Sequence, residues 1–127
     1  MDITDALRAT IRGAIREHLA LLADLEAQRR YECDVPIAAV PAELVCIWFD
    51  EIYHPESPAH QAAFTSSELK ALEGFSALFD SVNSSLGELQ SVVELQAREE
   101  WTQLSVAAEK LLCEIPDALP NPTLQRT

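Results

Sequence analysis

Apolar side chains recur by threes and fours through most of the chain, which is the period of helices that bury one face. The first series, Ile3, Leu7, Ile11, Ile15, Leu19, Leu22 and Leu25, predicts one long helix ending near Arg30, with Asp2, Thr4 and Asp5 as cap residues at its start. Arg8, Arg12 and Arg16 follow at intervals of four and share a flank. That flank reads as solvated, because exposed ion pairs stabilise little; pairing with acids of a neighbouring helix is the alternative. From Glu32 to Val40 the period is lost, and Pro36 drives the residue before it out of the helical region. A connection laid across the helices through Val35, Ile37 and Val40 is expected there.

Pro41 can open a second helix, since its missing N–H falls where no intrahelical partner exists, and the run continues to Tyr53 before Pro55. Helical projection puts Val45, Trp48, Phe49 and Ile52 on one face and Glu43, Asp50 and Glu51 on the other, with Ile47 among the acids. Ser57-Pro58 starts a short helical piece through Phe64, and Thr65-Ser66-Ser67-Glu68 matches a capping box. The third helix begins at that box and carries the stripe Leu69, Leu72, Phe75, Phe79, Val82 and Leu86. Asn83-Ser84-Ser85 followed by Gly87 is the break before a fourth, unbroken helix whose face is Leu89, Val93, Ala97, Trp101, Leu104, Ala108, Leu111 and Ile115. Branched residues at 32–40 and 44–49 also suit a strand, but no second strand of comparable quality exists to pair with them.

These elements predict an all-α fold, a small antiparallel bundle of about four helices over residues 1–115. The Pro-rich remainder, 116–127, is expected to be an extended or disordered tail. With 127 residues and only three glycines the chain is long enough for one domain with its own core. Cys33, Cys46 and Cys113 are an odd number without C-x-x-C spacing, and the opening residues lack the apolar core of a signal peptide. Reduced thiols in a cytoplasmic protein are the expectation. No apolar run approaches the 18 or so residues that a membrane span requires.

Charge sharpens the picture. Residues 1–30 hold five basic and five acidic side chains, so the net charge of −12 comes entirely from residues 31–127. Between Arg30 and Lys70 there is no lysine or arginine, whereas Glu32, Asp34, Glu43, Asp50, Glu51, Glu56 and Glu68 all fall in that gap. Such a field repels nucleic acid and anionic membranes and attracts basic proteins or cations. Acid that served solubility alone would give no reason for the asymmetry.

Residues with catalytic potential are few. Asp50 and His54 stand four apart, with Glu56 and His60 near, but His54 precedes Pro55, where a regular helix ends. Glu99-Glu100 is a pair of the kind used by all-helical metal-dependent nucleotide hydrolases; residue 103 is Gln where a third acid would be wanted, and no matching acid pair follows. His18 reads as a packed or rim histidine, Trp101 as core, and the cysteines as small core residues in apolar company. No glycine-rich phosphate loop exists. No catalytic residue, metal ligand or cofactor site is assigned.

The stretch LVCIWFDEIYHPES, followed by FTSSELKALEGFSALFD, carries a Trp-Phe-Asp-x-x-Tyr-x-Pro core at Trp48 to Pro55. It resembles bacterial immunity proteins encoded beside toxins of contact-dependent growth inhibition and related polymorphic toxin systems. The resemblance covers about a third of the chain and implies a cytoplasmic protein that binds and blocks one cognate toxin domain, commonly a nuclease. The charge reading agrees in outline, because a nuclease cleft built for a polyanion is basic. Glu43, Asp50, Glu51 and Glu56, with Ile47 and Tyr53 as apolar anchors, are the expected partner-binding residues. For Ile47 the plainer reading is an ordinary exposed apolar residue, or one covered by another element. Two other functions compete: an acidic adaptor or regulatory subunit of a larger or homo-oligomeric assembly, and a helical metal-dependent hydrolase.

Overall fold

The computed structural model describes residues 3–35 and 39–118, with the side chains of Ile3 and Thr4 outside that description. Seven α-helices and one π-helix occur among the described residues, and no strand does. They are α1 (Ile3–Ala23), α2 (Leu25–Asp34), α3 (Val40–Cys46) with its π-helical continuation (Ile47–Ile52), α4 (Pro58–Ala62), α5 (Ser66–Leu86), α6 (Val92–Gln96) and α7 (Glu99–Glu114). The fold is all-α, as the periodicity predicts. The expected caps at Asp2 and Thr4, the placement of Ile37 and the tail from residue 119 onward lie outside the described residues.

The bundle rests on three long helices. α7 packs against both α1 and α5, so its buried face of Trp101, Leu104, Ala108 and Leu111 meets neighbours on two sides. The π-helix and α4 lean on α1, and α2 leans on α6. At the centre is an aromatic cluster. Trp48, fully buried, meets Phe75 edge-on at 5.2 Å, and Phe79 stands 6.1 Å from Trp101. Each indole N–H has a partner, Ser76 Oγ at 3.2 Å for Trp48 and Gln28 Oε1 at 2.9 Å for Trp101, as burial of a polar group requires.

Four sequence expectations are corrected. The first helix is broken: Asp24 adopts an extended conformation (φ −115°, ψ 102°) and caps α2 by accepting from the Ala27 N–H at 3.0 Å. The break strands carbonyls at the end of α1, and Gln28, fully buried, answers two of them by donating Nε2 to Leu21 and Leu22 at 3.0 and 2.9 Å. The fourth helix is also broken, at Ala97–Arg98. Ser91 caps α6 and accepts from the Glu94 N–H, which turns Val92 and Leu95 into the core and leaves Val93 70% exposed.

The third correction concerns Arg12. It is 1% exposed and belongs to no solvated flank. Nη1 donates to the Ala63 carbonyl at 3.0 Å and to Glu68 Oε1 at 2.7 Å; Nη2 donates to Glu68 Oε2 at 3.2 Å and to the carbonyls of Pro116 and Ala118 at 2.6 and 3.3 Å. Glu68 therefore serves twice. The capping box at Thr65 is formed as expected, with Thr65 N–H donating to Glu68 Oε1 at 2.8 Å, and the same carboxylate neutralises the buried guanidinium. Residues 116–118, which fall in the segment expected to be tail, are tied to α1 through Arg12 and through an Arg16–Asp117 ion pair of 3.1 Å.

The fourth lies in the segment after Pro41. The chain winds as an α-helix only to Cys46 and then widens to a π-helix, closed by the Tyr53 N–H donating to the Trp48 carbonyl at 2.9 Å. The i→i+5 pitch returns residue 53 to the side of residue 48, and the two rings stack at 5.1 Å with 14° between their planes. An α-helical projection puts Tyr53 elsewhere.

Candidate partner-binding surface

Glu43, Asp50 and Glu51 share one face of this segment, with the thiol of Cys46 among them; Cys46, like Cys33 and Cys113, is exposed and is not the small core residue expected from its apolar neighbours. Spacings of seven and eight bring Asp50 and Glu51 back toward Glu43, even though the helix changes pitch between them. Loss of water contact, then the Asp50 charge and a hydrogen bond to it, then Glu43 and Glu51, push the Cys46 thiol above its ordinary value. The surrounding carboxylates thus disfavour its thiolate form. Tyr31, reaching in from α2, has its phenol pushed up by partial burial and then by Glu43 and Glu51. Three carboxylates act together here.

Ile47 is half-buried at the edge of this face. With Ile52 it forms one wall of a groove of about 410 Å³, whose opposite wall is Ala14 and Leu21 of α1; Tyr31, Glu17 and His18 complete the lining. Burial pushes the His18 imidazole below its ordinary value, against smaller opposing effects of the Leu44 carbonyl and Glu17. Its Nε2 lies 2.9 Å from that carbonyl, so the neutral ring carries its proton on Nε2. This is the packed histidine expected from sequence.

Tyr53 and Glu56 do not join this face. The Tyr53 ring lies on Trp48 and meets His60 edge-on at 5.3 Å. Partial burial, then Glu73 of α5 and Glu56, push its phenol up, while a hydrogen bond with Ser76 opposes them. Tyr53 therefore looks toward α5, with Glu56 near it, and the six residues singled out from sequence divide into a group of four and a group of two. Tyr31 and Glu17 belong with the four. They come from other helices, and only the tertiary fold brings them in.

The metal-ligand spacing at Asp50 and His54 leads to no cluster. His54 Nε2 is 3.2 Å from the Glu51 carbonyl, and His60 is 2% exposed between Tyr53 and Phe64. Glu100 pairs with Arg98 at 3.9 Å and accepts from Ser85 Oγ at 3.3 Å. Among the described residues no group of three or more His, Cys, Asp or Glu side chains is arranged to hold a metal ion. No helix among them is long and apolar enough to cross a membrane. Comparison with protein-family models, with curated proteins and with solved structures gives no match to the chain.

Proposed function

We propose that the chain is an immunity-type inhibitor that works in the cytoplasm, binding a cognate toxin domain with a basic active site, a nuclease, through the face of Glu43, Ile47, Asp50 and Glu51. The observation that carries the reading is the convergence of Glu43, Asp50 and Glu51 on the single thiol of Cys46, in a stretch with no lysine or arginine from residue 31 to residue 69. The resemblance of the Trp48–Pro55 stretch to immunity proteins points the same way. A cleft that holds phosphates by lysine and arginine can take these carboxylates in their place, and the long-range field speeds the encounter. The work is binding, with no catalytic step by this chain.

The test is co-expression of the tagged chain with the products of its neighbouring reading frames. A stoichiometric complex with one basic domain that is toxic when expressed alone is the expected result. Recovery of the chain alone or with further copies of itself would overturn the reading in favour of an adaptor or oligomer subunit. That second reading has its own observation: Leu78 is exposed beside a shallow groove between α5 and α7, where Gly74, Ala71 and Ala107 leave room for another helix.

A further inference from the structure

We propose that the groove between α1 and the π-helix is a receptor for one arginine side chain of the partner. The assignment rests on the basic-partner reading above and names what that partner must insert. An isoleucine among acids suggests a knob that enters the partner, whereas Ile47 here is a wall, so this chain supplies the hole. The walls are apolar over Ala14, Leu21, Ile47 and Ile52. The charges near the groove are carboxylates: Glu17 in its lining, and Glu43 and Glu51 close enough to raise the Tyr31 phenol. No lysine or arginine lines it, Arg16 beside Glu17 in α1 is drawn to Asp117, and burial disfavours the charged form of His18.

An apolar trough with an anionic rim matches a side chain that has a long aliphatic stem and a cationic head. Arginine fits better than lysine, because a planar guanidinium can lie on the Tyr31 ring and still offer paired donors to carboxylates. The other grooves lack this combination. The one between α3 and the end of α5, lined by Pro41, Val45, Leu86 and Leu89, has no aromatic ring for a guanidinium to lie on, the one between α5 and α7 carries Lys110, and the one between α1 and α7 already contains both Arg16 and Asp117.

The experiment is an NMR titration of the intact 127-residue chain at constant ionic strength with N-acetyl-arginine methylamide, and with the lysine and citrulline analogues. Saturable shifts confined to Ala14, Leu21, Tyr31, Ile47 and Ile52 are expected with arginine, with affinity about fivefold or more weaker for lysine and for the uncharged citrulline. Ala14→Trp should abolish them by filling the trough. Glu17→Gln, at an exposed position that leaves the fold alone, should weaken them about threefold. Equal responses to the three analogues, shifts spread over remote acids such as Glu99 and Glu109, or arginine shifts unaltered by Glu17→Gln would overturn the assignment. Failure here leaves the basic-partner reading standing if co-expression still recovers a basic domain, and recovery of no such domain defeats that reading whatever the groove does.

Discussion

The indole of Trp101 on α7 donates to Gln28 Oε1 on α2 at 2.9 Å, and the same amide oxygen accepts from Gln96 Nε2 on α6 at 3.1 Å. Gln28 thus ties together the two places where the long helices of the sequence pattern break, α1 to α2 on one side and α6 to α7 on the other. Gln28→Leu removes the acceptor and both donors at once, leaving a buried indole N–H and the Leu21 and Leu22 carbonyls without it. A loss of about 3 kcal/mol is expected in urea unfolding. Trp101→Phe leaves Gln28 with Gln96 but removes indole volume from the core, and the two substitutions should couple in a double-mutant cycle.

Arg12 and Glu68 make the second relationship open to test. Truncating one member of a buried pair leaves the other charge without its counter-ion, so Arg12→Ala should cost about 3–5 kcal/mol. Its carbonyl bonds to Pro116 and Ala118 disappear too, and limited proteolysis should then cut near residue 117 faster than in the parent chain. Arg16→Ala loses only an ion pair whose Asp117 is exposed, and its effect on stability should be well under that of Arg12→Ala.

Stability should decline in mild acid. Burial lowers both His18 and His60 from the ordinary value of 6.5; for His60 the His54 ring adds to burial and Glu56 opposes it. A folded-state value below the unfolded one means that the unfolded chain takes up protons first, so stability is full above about pH 6.5 and falls as the pH drops through the window beneath it. Neither ring nitrogen of His60 has a hydrogen-bond partner among the described residues, so His60→Phe removes one titrating group without breaking a bond. Urea midpoints measured from pH 7.5 to 5.5 should fall in the parent and fall less in this variant.

Charge reversal at Asp50 and Glu51 should weaken binding to the proposed basic partner by about tenfold or more at low salt, chiefly by slowing association, and flatten the salt dependence. Both positions are exposed, so thermal stability should be almost unchanged. Unchanged affinity at low salt would remove this face from consideration.

What could be read in advance was local. The Thr65–Glu68 box needs only residues three apart, and Glu43, Asp50 and Glu51 share a face through spacings of seven and eight. The break at Asp24 has a cap signal in the sequence, aspartate before Leu25, and Ser-x-x-Glu at 91–94 marks the start of α6, but the apolar period runs across both and outweighs them; the break at Ala97–Arg98 has no side-chain cap to announce it. Arg12 was illegible for a different reason: its partners stand 51, 56, 104 and 106 residues away, and no spacing rule reaches them. Tyr53, expected as an anchor beside the acids, lies instead on Trp48 because the helix widens there, which no spacing in the sequence announces. Tyr31 and Glu17 could not be attached to the acidic face because attaching them requires knowing how α1 and α2 meet the π-helix.

The Arg12 guanidinium also sets an order of events during synthesis. α1 leaves the ribosome first, yet its central cation has no counter-ion until Glu68 emerges and keeps hydrogens without acceptors until residues 116–118 follow. Until those partners are in place water must serve the guanidinium, and residues 116–118 act as the latch that lets α1 settle.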